Sequence, residues 1–194
     1  MNRRLEILRR ATEVFQRQGV AETSMEDIAR AVGIKREAIY YYFNGRSEIL
    51  LEIFLPQSRA LLHSLRGIVE AEMSPTEKLR AAIRTHLLSF NPSYLEMTVA
   101  MREPRLDKNN EKLRELRETW KDYGALWVRI VAEGQRTGGF RPNVDARTIA
   151  FGLLGMCNWL SRWFDPAGEI SIERIIDDYA SLAIDGIGLP VHHA

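Results

Sequence analysis

Three tyrosines, Tyr40, Tyr41 and Tyr42, stand side by side a few residues after Lys35 and Arg36 in the stretch GIKREAIYYYF. Successive residues on a helix turn by about 100°, so three neighbours sweep roughly 200°. A small domain buries a helix stripe only a little over ~100° wide. At least one phenol must therefore face water beside two cations. That pairing suits a nucleic-acid backbone: the ring packs on sugar, the hydroxyl donates to a phosphate oxygen and the cations add charge. Catalytic chemistry has no comparable signature. The chain has no His-Glu-x-x-His, no cysteine pair, no glycine-rich phosphate loop and no triad pattern. No catalytic residue, metal set or cofactor is expected, and the chain is read as a non-enzyme. His63 and His86 lie within helical patterns. His86, four residues after Ala82 and four before Phe90, falls on an apolar face and reads as a core histidine with its nitrogens satisfied.

The elements that must hold the tyrosines read as helices throughout, without strand alternation or internal repeat. The spacing predicts a first helix from about Arg3 to Gln18, stopped by Gly19. A second opens at TSMED, where Thr23 or Ser24 can cap and Glu26 or Asp27 can complete a capping box. Gly33 ends it, and the tyrosine helix follows, anchored by Ile39 and Phe43. Tyr42, three residues after Ile39, is expected to lean toward the core, leaving Tyr40 and Tyr41 outward. Helix, tight turn with glycine, helix is helix-turn-helix spacing. Beyond it, a long helical pattern from about Arg46 to Glu72 contains Pro56, which should kink or split it. Helix starts follow at SPTEKL, with Ser74 as cap, and at NPSYLEM, with Asn91. Leu113, Leu116, Trp120, Tyr123, Trp127 and Ile130 then step by three and four residues along one helix face. Ala146 to Phe164 is apolar almost all round, which at the end of a small chain points to a face shared with a partner.

The segment RRLEILRRATEVFQRQGVAETSMEDIARAVGIKREAIYYYFNGRSEILLEIF resembles the N-terminal domain of TetR-family transcriptional regulators. The likeness is carried by Phe15 and Gly19, by TSMEDIA, GI and YYF, and by the basic Arg46 three residues after that phenylalanine. It implies an all-α chain with a DNA-binding domain over residues 1–47 and a ligand-binding and dimerisation domain over 48–194. By position, Thr23, Ser24 and Met25 fall where the second helix meets phosphate, and Lys35, Tyr41, Tyr42 and Arg46 fall on backbone contacts. Arg36, Glu37, Ala38 and Tyr40 hold the positions that reach base edges. Arg36 is the residue expected to read guanine, worth roughly 1–3 kcal/mol of discrimination. The chain departs from the family at Lys35, Glu37 and Ala38. Lysine cannot cap the recognition helix. Glu37 either accepts a hydrogen bond from cytosine, pairs with Arg36, or complements the helix dipole.

The resemblance also implies a homodimer through the last two helices, here Ala146–Phe164 and Ser171–Gly186. Two reading heads about 34–36 Å apart would then meet successive major grooves of a palindromic operator. NWLSRWFDPAG is similar to the branch of the family that responds to acyl-CoA thioesters of lipid or sterol catabolism. The residues expected to line an effector cavity are Met97, Met101, Trp120, Tyr123, Trp127, Met156 and Trp159. Arg102 and Arg105 are the candidate cations for an anionic CoA. A hydrophobic drug-like effector, or a helical dimerisation protein without effector, stands as the alternative.

Charge and composition set the outer limits. Residues 1–50 carry nine Lys/Arg against seven Asp/Glu and the remainder 18 against 19, which sums to the net +1. DNA affinity must therefore come from a local patch rather than the net field. The longest uncharged apolar run, residues 149–161, has 13 residues, too few to span a bilayer. The single cysteine, Cys157, fits a reducing cytoplasm.

Overall fold

The computed structural model describes residues 2–89 and 110–188. Within them the chain is all-α. The helices are α1 (Arg3–Gln18), α2 (Met25–Val32), α3 (Arg36–Tyr40), α4 (Arg46–Glu70), α5 (Pro75–Leu88), α6 (Glu111–Arg136), α7 (Ala146–Trp159) and α8 (Ile172–Ile187), with a 3-10 turn at Leu160–Arg162. An isolated antiparallel bridge pairs Phe140 with Gly188. The expected helix start at Asn91 lies outside the described residues, as do Met97, Met101, Arg102 and Arg105.

Local chemistry sets most helix ends. Asn2 accepts a hydrogen bond from the Arg4 amide at the start of α1, and Gly19, at φ +83°, ends it. Ser24 and Asp27 form a reciprocal capping box on α2, and Gly33 terminates that helix in the left-handed region at φ +74°, where a side chain would be strained. Of the two cap candidates, Ser24 takes the role. Ser74 and Glu77 repeat the box on α5, with Pro75 in its first turn. Asp145 caps α7 and Ser171 caps α8. Lys35 precedes α3 without a side-chain cap, as its chemistry predicts.

Two compact units result, one comprising described residues 2–59 and 110–118, the other 60–89 and 119–188. The first is built on Ile7, Ala11, Phe15, Ile28, Ile39, Phe43 and Phe54. The second is built on Leu65, Ile83, Tyr123, Trp127, Leu153 and Ile176 with their neighbours. Three expectations need correction. Pro56 does not split α4, which runs unbroken from Arg46 to Glu70. One missing backbone hydrogen bond is outweighed by the burial of Ile49, Leu50, Leu51, Phe54 and Leu55 around it. The tyrosine helix closes at Tyr40, because the Tyr42 and Phe43 amides both donate to the Ile39 carbonyl and tighten the last turn. The apolar C-terminal helix ends at Trp159 and continues only as the 3-10 turn.

Candidate nucleic-acid interface and effector core

The second helix of the helix-turn-helix presents Lys35, Arg36, Glu37, Ala38 and Tyr40 to solvent, with Ile39 alone turned fully inward. Tyr41, 85% exposed, stands at its end, while Tyr42 packs edge-on against it and against the core below. The three phenols thus divide as their spacing predicts. Arg36 does not pair with Glu37. Its Nη2 donates to the Tyr40 hydroxyl at 3.2 Å and its guanidinium lies over the Tyr40 ring, one helical turn away.

At the start of α2, Ser24 is exposed and Met25 half-buried against the first core. The Asp27 carboxyl is held below its ordinary range by the Ser24 hydroxyl and backbone. Thr23 is only 1% exposed and its hydroxyl donates to the Gly19 carbonyl at 2.6 Å, which braces the turn. Arg46 likewise turns inward: its Nη1 donates to the carbonyls of Val20, Ala21 and Thr23 at 2.8, 2.9 and 3.0 Å. Those carbonyls belong to the loop before α2, where backbone acceptors outside regular structure draw on side-chain donors. Arg46 therefore fixes the entry to α2.

A second clamp involves residues that the sequence reading passed over. Arg4 donates to the Tyr42 carbonyl at the end of the reading helix, and its guanidinium lies 4.1 Å over the Phe43 ring. Its Nε donates to Glu52 at 3.2 Å, its Nη2 reaches Glu48, and Lys112 completes the cluster on Glu52. Burial pushes the Glu52 carboxyl up, but hydrogen bonds from Arg4 and Lys112 outweigh it and hold the group below its usual range. The signal was present: Glu48 and Glu52, one turn apart on α4, are like charges that require a cation between them.

In the second unit, Tyr123 and Trp127 are fully buried, while Trp120 and Met156 pack against the same core. Trp159 does not converge with them. It is 61% exposed, on the outward side of α7. His86 is buried with both nitrogens engaged, Nδ1 with the Tyr123 hydroxyl at 2.9 Å and Nε2 with Asn158 Oδ1 at 3.0 Å. Burial pushes it down to about 4 despite the Asn158 bond, so the ring is neutral. Asn158 Oδ1 can only accept, so Nε2 carries the proton and Nδ1 accepts from the phenol. His63 is exposed. The outer side of α7 carries Phe151, Gly152, Gly155 and Trp159, and α8 exposes Leu182. A Cβ at Gly152 or Gly155 would meet nothing within 4 Å.

Among the described residues no group of three or more His, Cys, Asp or Glu is placed to hold a metal, and no helix is long and apolar enough to cross a membrane.

Residues 7–53 match the family described as bacterial regulatory proteins, tetR family, and residues 72–187 match the tetracyclin repressor-like C-terminal domain. The chain is 27% identical to the HTH-type transcriptional repressor KstR2 of Rhodococcus jostii (strain RHA1), over 97% of this chain and 92% of that protein. It is 24% identical to the fatty acid metabolism regulator protein of Bacillus subtilis (strain 168), over 94% of each. A transcriptional regulator of the TetR/AcrR family from Thermobifida fusca YX-ER1 superposes with a TM-score of 0.70 at 30% identity, covering 96% of this chain and 98% of that one.

Proposed function

The chain belongs to the tetR family of bacterial regulatory proteins, and from that premise we propose that it is a dimeric repressor released from a palindromic operator by an acyl-CoA thioester. That it is a transcriptional regulator follows from the family; operator, effector and assembly are the proposal. In this reading residues 1–47 bind DNA and residues 48–194 bind effector and dimerise. The observation that carries it is the outward row Lys35, Arg36, Glu37, Ala38 and Tyr40 on a helix whose remaining face is sealed into a core. Arg36 and Tyr40 approach base edges, while Ser24, Met25, Lys35 and Tyr41 approach phosphate. Arg46 and Tyr42 contribute through the placement of the loop and of Tyr41. Phe151, Trp159 and Leu182, with small glycines between the first two, support pairing of α7 and α8 with their copies. An acyl thioester effector agrees with the aromatic second core and with a relative named for fatty acid metabolism. Operator DNA places the protein in the cytoplasm.

Release is a two-state equilibrium. Without effector the two heads match groove spacing; with effector, α4 shifts and the match is lost. Only differential affinity moves such a balance, and turning 99:1 into 1:99 requires about 5.5 kcal/mol. Binding-site selection from genomic DNA, with and without a panel of acyl-CoA thioesters, tests the whole reading. A palindrome lost with one thioester is the expected result. A palindrome indifferent to all of them retains the regulator and removes the thioester; no enriched site at low salt removes the DNA reading.

A further inference from the structure

Among the described residues, the second core contains one buried side-chain polar atom without a hydrogen-bond partner. Trp127 is completely buried, yet its indole nitrogen has no hydrogen-bond partner. A native interior pairs such groups almost without exception, and an orphan asks what completes it. Its neighbours are aromatic and polar together: the His86 ring sits edge-on at 6.0 Å, Tyr123 at 6.4 Å, and Trp120 packs on Tyr123. The hydrogen-bonding capacity of this cluster is lopsided. His86 Nδ1 is occupied by the Tyr123 hydroxyl and Asn158 Oδ1 by His86 Nε2. What remains on Trp127 and on the Asn158 amide are donors.

We infer that the Trp127 indole N–H is the binding point for a hydrogen-bond-accepting oxygen carried by an uncharged, otherwise apolar part of the effector. The inference rests on the effector reading above and names its chemistry. The neutral His86 offers a carboxylate no counter-charge, so the accepted group is a carbonyl, ether or hydroxyl oxygen. The CoA moiety, large and multiply anionic, cannot be desolvated in this core, and the thioester carbonyl is common to every acyl-CoA; the oxygen that discriminates is therefore a second one, on the acyl chain. A chain without it leaves the indole unpaired and binds more weakly for that reason. Trp127 thus sets specificity between oxygenated and plain acyl groups.

The test compares decanoyl-CoA with 5-, 7- and 9-oxodecanoyl-CoA by calorimetric titration of the full-length protein and of Trp127→Phe. At least one oxo compound should bind the wild type about tenfold or more tightly than decanoyl-CoA. Trp127→Phe should erase that ratio, the oxo compounds losing more affinity than decanoyl-CoA. Should the variant fail to fold, the wild-type indole N–H signal of Trp127 serves instead, assigned by elimination after Trp120→Phe, Trp159→Phe and Trp163→Phe each remove one of the four. It should move downfield with the preferred oxo compound and not with decanoyl-CoA. Binding of decanoyl-CoA with no preference among the four, or an equal loss for all in Trp127→Phe, overturns the inference and leaves the thioester reading standing. No binding of any of the four overturns that reading and the inference with it.

Discussion

Arg36 and Tyr40 share one turn of α3, and the hydroxyl of the second holds the guanidinium of the first. A guanidinium already restrained loses less freedom when it takes up a base edge, which is where an arginine gains its selectivity. Arg36→Ala should therefore relax preference at one base pair of each half-site by roughly 1–3 kcal/mol, whereas loss of a phosphate contact would weaken all sequences alike and lower the salt slope by about one. Site selection at two salt concentrations measures both; a uniform loss across all sequences would assign Arg36 to phosphate instead. His86 makes a prediction of a different kind. Its folded value, about 4, lies below the ordinary 6.5 of the unfolded chain. Between those values the unfolded state binds the extra proton, so its contribution is complete above pH 6.5 and is lost as pH falls toward 4. The span corresponds to about 3 kcal/mol. Denaturant unfolding of wild type and His86→Gln at pH 7.5 and pH 4.5 should show a steeper decline in the wild type; parallel declines would show that His86 titrates normally.

Among the elements, α6 and α4 show how a helix is shaped by what crosses it. A Cβ on Gly134 would sit 2.1 Å from Phe140 Cδ2, and Phe140 is fully buried, with nowhere to retreat. Gly134→Ala gains helix propensity but overpacks the ring, and the second effect is the larger, about 1–3 kcal/mol. A thermal midpoint several degrees lower is expected; a rise would mean that Phe140 relocates freely. On α4, Pro56 lies inside a continuous helix and brings no amide hydrogen to the preceding turn. Because the proposed mechanism moves this helix, Pro56→Ala should alter the effector concentration for half release more than operator affinity. Equal effects on both, by titration, would remove Pro56 from the release mechanism. The capping boxes on α2 and α5 were legible beforehand because a cap needs only residues three apart. The closing of α3 at Tyr40 was not, since it depends on the competition of two amides for the Ile39 carbonyl.

At the scale of the molecule, the outward stripe Phe151, Gly152, Gly155 and Trp159 is apolar where a lone subunit would be expected to be polar. If α7 pairs with its copy, Phe151→Asp together with Trp159→Asp should convert a dimer to a monomer in sedimentation equilibrium. Operator affinity should then fall by about 10²-fold or more, as the second head loses its tether. A dimer that survives both substitutions would place the interface elsewhere. Periodicity, caps and the glycine turn were sufficient to read an all-α chain, its helix-turn-helix and the outward phenols from sequence, because each is a relation between residues a few positions apart. The inward turn of Thr23 and Arg46, the Arg4, Glu52 and Lys112 cluster and the orphaned Trp127 nitrogen were decided only by the tertiary structure. For Arg46 and for the Arg4 cluster the partners lie more than twenty residues away, for Trp127 the surroundings offer none, and for Thr23 burial rather than spacing turned the hydroxyl inward; a linear pattern records none of these.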